Sequence, residues 1–157
     1  MTRAACVSAA LLISVGACSP DVFGASRRSD LTEQLRALAG TWEPVSVENN
    51  GFWAPRSDLD GIIWIRRADG RWTMRRGGKD LVEWTVKAID ARKSPRTIDL
   101  EVSAGAYKGV VYLGIYELDG DTMRICFALP DKPERPTEFG ADKGTVRALA
   151  AFKRLRQ

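Results

Sequence analysis

The sequence predicts an all-β domain, an antiparallel up-and-down barrel of about eight strands with one short N-terminal helix. Three observations predict it. Stretches of alternating apolar and polar residues recur from Trp42 to Leu155, the period of a strand with one wet face. Two Asp-Gly pairs, Asp69-Gly70 and Asp119-Gly120, lie between such stretches as hairpin turns. No second helical pattern is long enough to cover a sheet, and a meander of this strand count removes its exposed edges by closing on itself. A two-sheet β-sandwich is the alternative, since strand spacing alone does not separate the two.

The elements follow in order. Asp30 with Glu33 matches a capping box, Leu31, Leu35 and Leu38 share one helical face, and Gly40 can end the helix in a left-handed conformation. Trp42 to Glu48 is the first strand. Ile62 to Arg66 and Arg71 to Arg76 flank Ala68-Asp69-Gly70. Leu81 to Ile89 alternates Val82, Trp84, Val86 and Ala88 against Glu83, Thr85 and Lys87. After a Lys93-Ser94-Pro95 turn, Ile98, Leu100 and Val102 alternate with Thr97, Asp99 and Glu101. Tyr107 to Leu118 and Thr122 to Ala128 form the second Asp-Gly hairpin, in which Met123, Ile125 and Phe127 share a face. The last strand runs from about Thr145 to Leu155.

The N-terminus has a separate character. Arg3 supplies a short positive region, Ala4 to Ser14 an uncharged apolar one, and Val15-Gly16-Ala17-Cys18 sets small residues before a cysteine. The apolar stretch is shorter than the roughly 20 residues a membrane-spanning helix needs. This segment resembles a bacterial lipoprotein signal, which implies that residues 1–17 are removed and that Cys18 becomes the lipidated first residue. Residues 18–29 then form a flexible tether and 30–157 the barrel domain. Export and lipid anchoring to the bacterial envelope follow from the resemblance. The periplasmic face of the outer membrane is the expected site, because Ser19 stands where an Asp would favour inner-membrane retention. An ordinary secretory signal cut after Ala17, leaving Cys18 a thiol, is the alternative.

Cleavage there leaves about 140 residues, one domain by length and large enough to rely on its own apolar core. It must, because Cys126 would be left without an intramolecular partner. The net charge of +4, from 24 Lys and Arg against 20 Asp and Glu, is dispersed in pairs such as Arg27-Arg28, Arg66-Arg67 and Arg75-Arg76, read as solvated surface. No stripe suited to nucleic acid is formed, so nucleic acid is not an expected partner. The absence of histidine excludes Ser-His-Asp and Cys-His catalysis and His-rich zinc sites. No metal, cofactor or catalytic residue is expected, and the chain reads as no enzyme.

Gly40-Thr41-Trp42 at the head of the first strand and Lys153-Arg154 at the end of the last resemble the lipocalin superfamily. The resemblance implies that Trp42, with Gly40 before it, closes the barrel base and that Arg154 lies across its ring in a cation–π contact. A further set of motifs occurs in one order: Gly40-Thr41-Trp42-Glu43, Arg75-Arg76-Gly77-Gly78-Lys79, Ser94-Pro95-Arg96-Thr97-Ile98-Asp99-Leu100, Gly114-Ile115-Tyr116-Glu117-Leu118-Asp119-Gly120-Asp121, Arg124-Ile125-Cys126-Phe127 and Arg135-Pro136-Thr137-Glu138-Phe139. Together they are similar to a lipocalin-like domain family abundant in planctomycete bacteria. That implies a small barrel and carries over no activity. Here Lys143-Gly144-Thr145 runs compactly into the last strand, a departure from the family pattern.

Candidate chemistry is sparse. Cys126, beside Arg124 and opposite the Met123, Ile125 and Phe127 face, is either a thiol of lowered pKa or a small residue packed in a barrel wall. Asp119-Gly120-Asp121 lacks the ligands of a calcium loop and reads as a turn. Glu117, Asp119, Asp121 and Glu138 are strand-end or loop acids with nothing to bring a pair together. The candidate ligand or loop residues are Trp64, Trp84, Tyr116 and Phe127, with Arg135, Glu138 and Phe139 of the Arg-Pro-Thr-Glu-Phe run. That run reads either as a specific site or as a latch, with Phe139 plugging the barrel and Arg135 paired to an acid.

Whether the barrel has room inside decides between two functions. Trp64, Trp72, Trp84, Met74, Phe127 and Phe152 compete for the interior, while Ala88, Gly109, Ala148 and Ala150 leave space. With space, the expected partner is a small apolar ligand held by a membrane-tethered carrier or sensor. With a filled core, it is an envelope protein docking on exposed aromatics such as Phe52, Trp53 and Tyr107.

Overall fold

The computed structural model describes residues 21–130 and 134–156, with side chains from residue 28 onward. The proposed signal and Cys18 lie outside the described residues. A helix α1 (Asp21–Leu38) leads into strands β1 (Gly40–Asn49) and β2 (Phe52–Trp53) and a single helical turn α2 (Arg56–Leu59). Seven strands follow: β3 (Ile62–Arg66), β4 (Arg71–Arg76), β5 (Lys79–Asp90), β6 (Arg96–Ala104), β7 (Val111–Asp119), β8 (Thr122–Ala128) and β9 (Arg147–Arg154). All pair in one antiparallel sheet of order β2-β1-β3-β4-β5-β6-β7-β8-β9, and β1 also pairs with β9. The sheet is therefore a closed eight-stranded barrel, with the two-residue β2 as an extra strand on β1, and not a sandwich. No helix among the described residues is long and apolar enough to cross a membrane.

Where sequence and structure differ, the causes are local. Helix α1 begins nine residues before Asp30, so part of the stretch read as a tether is helical. Asp30 is not a cap: its carboxylate accepts from Gln34 Nε2 at 2.9 Å one turn further on, and Thr32 Oγ1 donates to the Arg28 carbonyl. No proline interrupts the run to Leu38. Strand β7 starts at Val111 and not Tyr107, since Tyr107 (φ 67°) and Gly109 (φ 89°) form the turn before it. The pairing of β5 with β6 slips between Val86 and Ala88. Such a bulge reverses the alternation beyond it, leaving Ala88 exposed while Ile89 packs on the core.

The alternation of the remaining strands fills the interior. Trp42, Trp72, Ile98, Leu100, Tyr116, Met123, Ile125 and Phe152 form one buried cluster. Leu38 of α1 joins it, so the helix closes the end where β1 begins and β9 ends. Three hydrogen bonds fasten that lid. Trp42 Nε1 donates to the Leu38 carbonyl at 3.1 Å, Arg154 Nη2 donates to the Ala37 carbonyl at 2.7 Å, and Arg154 Nη1 donates to the Ala39 carbonyl. The guanidinium thus satisfies carbonyls at the helix C-terminus, where a positive charge also complements the dipole. Gly40 makes the approach possible: its φ is 137°, and a Cβ there would lie 3.2 Å from Arg154 Nη1.

A second, smaller apolar layer lies outside the barrel wall. Ile115 and Cys126 pair across β7 and β8 on the face opposite Tyr116 and Ile125, yet both are buried. The connection between β8 and β9 covers them, with Pro136 and Ala141 buried there too and Cys126 Sγ donating to the Gly140 carbonyl at 3.4 Å. Gly51 fastens the other end of this connection, its N–H donating to the Ala141 carbonyl at 2.5 Å. A Cβ on Gly51 would fall 2.6 Å from the Lys143 nitrogen, so only glycine fits.

Trp42 is fully buried at the junction of strand closure and helix lid. Trp42→Ala is expected to lower stability by about 3–5 kcal/mol in chemical denaturation, the range for emptying a buried aromatic site. A loss below about 1 kcal/mol would be that of a surface change and inconsistent with this role.

Candidate functional site

The barrel is filled unevenly along its axis. Near α1, the large side chains of Trp42, Trp72, Met123 and Phe152 pack to exclusion of solvent. Toward the opposite end, β9 contributes Ala148 and Ala150, which pair with Phe127 and Ile125 of β8, and the small side chains leave space. A cavity of about 270 Å³ opens there, lined by Ile62, Trp64, Met74, Ile125, Phe127 and Phe152 among others. A second space of about 220 Å³ lies between Trp64, Trp84, Leu100, Tyr112 and Phe127. Trp64, Phe127, Asn49 and Ala148 line both, so the two are lobes of one interior region.

Aromatic contacts give this region stiff walls. Trp64 stacks on Trp84 with centroids 4.6 Å apart and planes 12° from parallel, and meets Phe152 edge-on at 5.3 Å. Phe127 meets Tyr112 edge-on at 6.1 Å. Burial raises the pKa of the Tyr112 phenol above its ordinary value, so the hydroxyl stays neutral. Such a chamber suits an apolar molecule with few polar groups.

Directly beneath it sits a charge. Arg66, the last residue of β3, shares the inward parity of Ile62 and Trp64 and is buried. Its guanidinium carbon lies 4.4 Å from the Phe152 ring, 4.6 Å from Trp72, 5.0 Å from Trp42 and 5.8 Å from Trp64. Nη1 donates to Met123 Sδ at 2.6 Å. Nε and Nη2 have no hydrogen-bond partner among the described residues. Nor does any described carboxylate pair with it, and the nearest influential charge is Arg154, a second cation. Burial, then repulsion from Arg154, pushes the Arg66 pKa well below the ordinary guanidinium value, down to about 9. The sign follows from desolvation, which disfavours the charged form. A guanidinium has two faces, so ring stacking offsets only part of a desolvation cost of several kcal/mol.

The residues singled out in the sequence separate into two groups. Trp64, Trp84 and Phe127 line the interior space. Tyr116 instead packs in the core beside Leu38, at the closed end. Arg135, Glu138 and Phe139 stand on the outer wall. Arg135 pairs with Asp99 at 2.6 Å and donates to the Gly114 carbonyl at 2.8 Å, bridging β6 and β7 from outside. Phe139 does not plug the barrel; it lies under Arg124, 4.6 Å from ring to guanidinium carbon. Glu138 faces Arg147 at 3.5 Å. The run is a latch on the wall, separate from the cavity, because Pro136 is drawn into the outer apolar layer. Arg154 lies over the Trp42 ring at 4.3 Å.

Two of the remaining candidate acids are held in ion pairs. Glu117 pairs with Arg124, and Asp121 with Arg156 at 2.9 Å and Arg154 at 3.6 Å. Burial raises the Cys126 thiol pKa, the opposite of an activated nucleophile. No group of three or more Cys, Asp or Glu among the described residues is placed to hold a metal ion. In the sequence Arg66 reads as half of a solvated basic pair with Arg67, and only its parity with Ile62 and Trp64 points inward. No family model, curated protein or solved structure matches the chain.

An uncompensated buried cation is expected to cost more than it returns. Arg66→Met, which keeps an unbranched side chain, should therefore raise the stability measured by chemical denaturation, by about 1 kcal/mol or more. A loss of that size would mean that ring stacking outweighs desolvation.

Proposed function

We propose that the protein is a non-enzymatic carrier or sensor that holds one small apolar ligand inside the barrel, tethered to the bacterial envelope through a lipidated Cys18. The interior cavity carries this reading. Its walls are almost entirely apolar, and Asn49 is the one lining side chain of the larger lobe with an amide to offer. An eight-stranded barrel has room either for its own side chains or for one small ligand, and Ala148 and Ala150 favour the second. Analogy with other small barrels that hold a ligand supports the same reading, as does the lipoprotein-like N-terminus for the tether.

A second reading, an envelope interaction module, is favoured by a different observation. Phe52 (68% exposed), Trp53 (62%) and Tyr107 (72%) stand at the end away from α1, with Leu81 and Val111 also exposed at strand starts on that end. Exposed aromatics of this kind anchor partners.

Native mass spectrometry of the full chain, purified without detergent and with any adduct extracted into organic solvent, separates the two. A stoichiometric apolar adduct is expected. Ala148→Phe, which places a ring where both lobes meet, should remove the adduct and leave the circular dichroism spectrum unchanged. A bare wild-type mass that also ignores a panel of fatty acids and alcohols favours the interaction module.

A further inference from the structure

We propose that Arg66 is the anion-recognising group of the cavity, and that the ligand class is an amphipathic monocarboxylic acid whose apolar tail fills the chamber. This inference rests on the cavity reading above and adds the head group to it.

Three observations carry it. First, the two unpartnered nitrogens of Arg66, Nε and Nη2, form one edge of the guanidinium. That edge presents two parallel N–H groups, the fork that matches the two oxygens of a carboxylate. Nη1, on the other edge, is taken by Met123. Second, the guanidinium lies one aromatic layer below the chamber. Phe152 and Trp64 line the cavity, and the Arg66 guanidinium carbon lies 4.4 Å from the first ring and 5.8 Å from the second. Third, no carboxylate of the described residues neutralises it, although among those residues Asp and Glu pair with arginine at nine places and with lysine at one. A barrel built only for neutral ligands gains nothing from a lone cation at its floor.

The head group reaches Arg66 when Trp64 turns aside from Phe152, its edge-on neighbour at 5.3 Å. Trp64 also stacks on Trp84, so this step alters the surroundings of two indoles and is visible in tryptophan fluorescence. The carboxylate then replaces missing hydrogen bonds and missing charge together, while the tail lies against Ile62, Met74 and Ile125.

The test compares decanoate with decanol, equal in length and different in head group, titrated into the full chain with tryptophan fluorescence and native mass spectrometry as readouts. Decanoate should bind at least about ten-fold more tightly, the scale of one charge-assisted hydrogen-bonded pair. In Arg66→Met the acid should fall to the affinity of the alcohol, whose own binding is unchanged. Arg66→Lys, which keeps the charge and loses the fork, should fall between them and serves if the methionine variant does not fold. Equal binding of acid and alcohol by the wild type overturns the anion inference and leaves the apolar cavity standing. An acid preference that survives in both Arg66 variants also overturns it, by assigning the preference to other basic residues. Binding of neither ligand overturns both readings.

Discussion

One indole ring holds the closed end together. Trp42 pairs in register with Arg154 where β1 meets β9, and the guanidinium of Arg154 lies over its ring at 4.3 Å. That contact joins three things that sequence keeps far apart: the first strand, the last strand and the helix whose terminal carbonyls Arg154 satisfies. Closure of the sheet removes its edges, and the helix then covers the one end that closure leaves open. A barrel sealed at one end has a single direction in which to be hollow.

The distribution of side-chain size follows from that seal. Tryptophans, Met123 and Phe152 crowd the base, and alanines of β9 face Ile125 and Phe127 higher up. The latch from β8 to β9 braces the wall from outside through Arg135 and Asp99. The other end carries an exposed aromatic rim, Phe52, Trp53 and Tyr107, on which both proposed readings draw. The two proposed functions rest on the same geometry and differ in what fills the space.

Arg66 is the point where local consistency fails. The aromatic side chains of Trp42, Trp64, Trp72 and Phe152 surround its guanidinium, and a cation there is costly. Sites that break the rules of packing without compensation inside the fold are where function is sought. Four aromatic rings keep the guanidinium in place and cannot supply the two hydrogen bonds that Nε and Nη2 lack.

The sequence alone determined the strands, because alternation and Asp-Gly turns are local: β3, β4 and β8 have the bounds that their residues predict. It determined the apolar lining as well, through Trp64, Trp84 and Phe127. Tertiary structure decided the rest. Closure of β1 on β9 distinguishes a barrel from a sandwich and depends on long-range pairing that no local pattern encodes. The bulge at Ala88 and the start of α1 at Asp21 depend on neighbouring strands and on hydrogen bonds one turn away. Arg135, Glu138 and Phe139 read in the sequence as either a site or a latch that plugs the barrel, and their place on the outer wall was not legible, since the outer apolar layer that holds Pro136 exists only after β7 and β8 pair. Arg66 read as solvated surface, because its burial needs four aromatic residues from four strands to converge on one point.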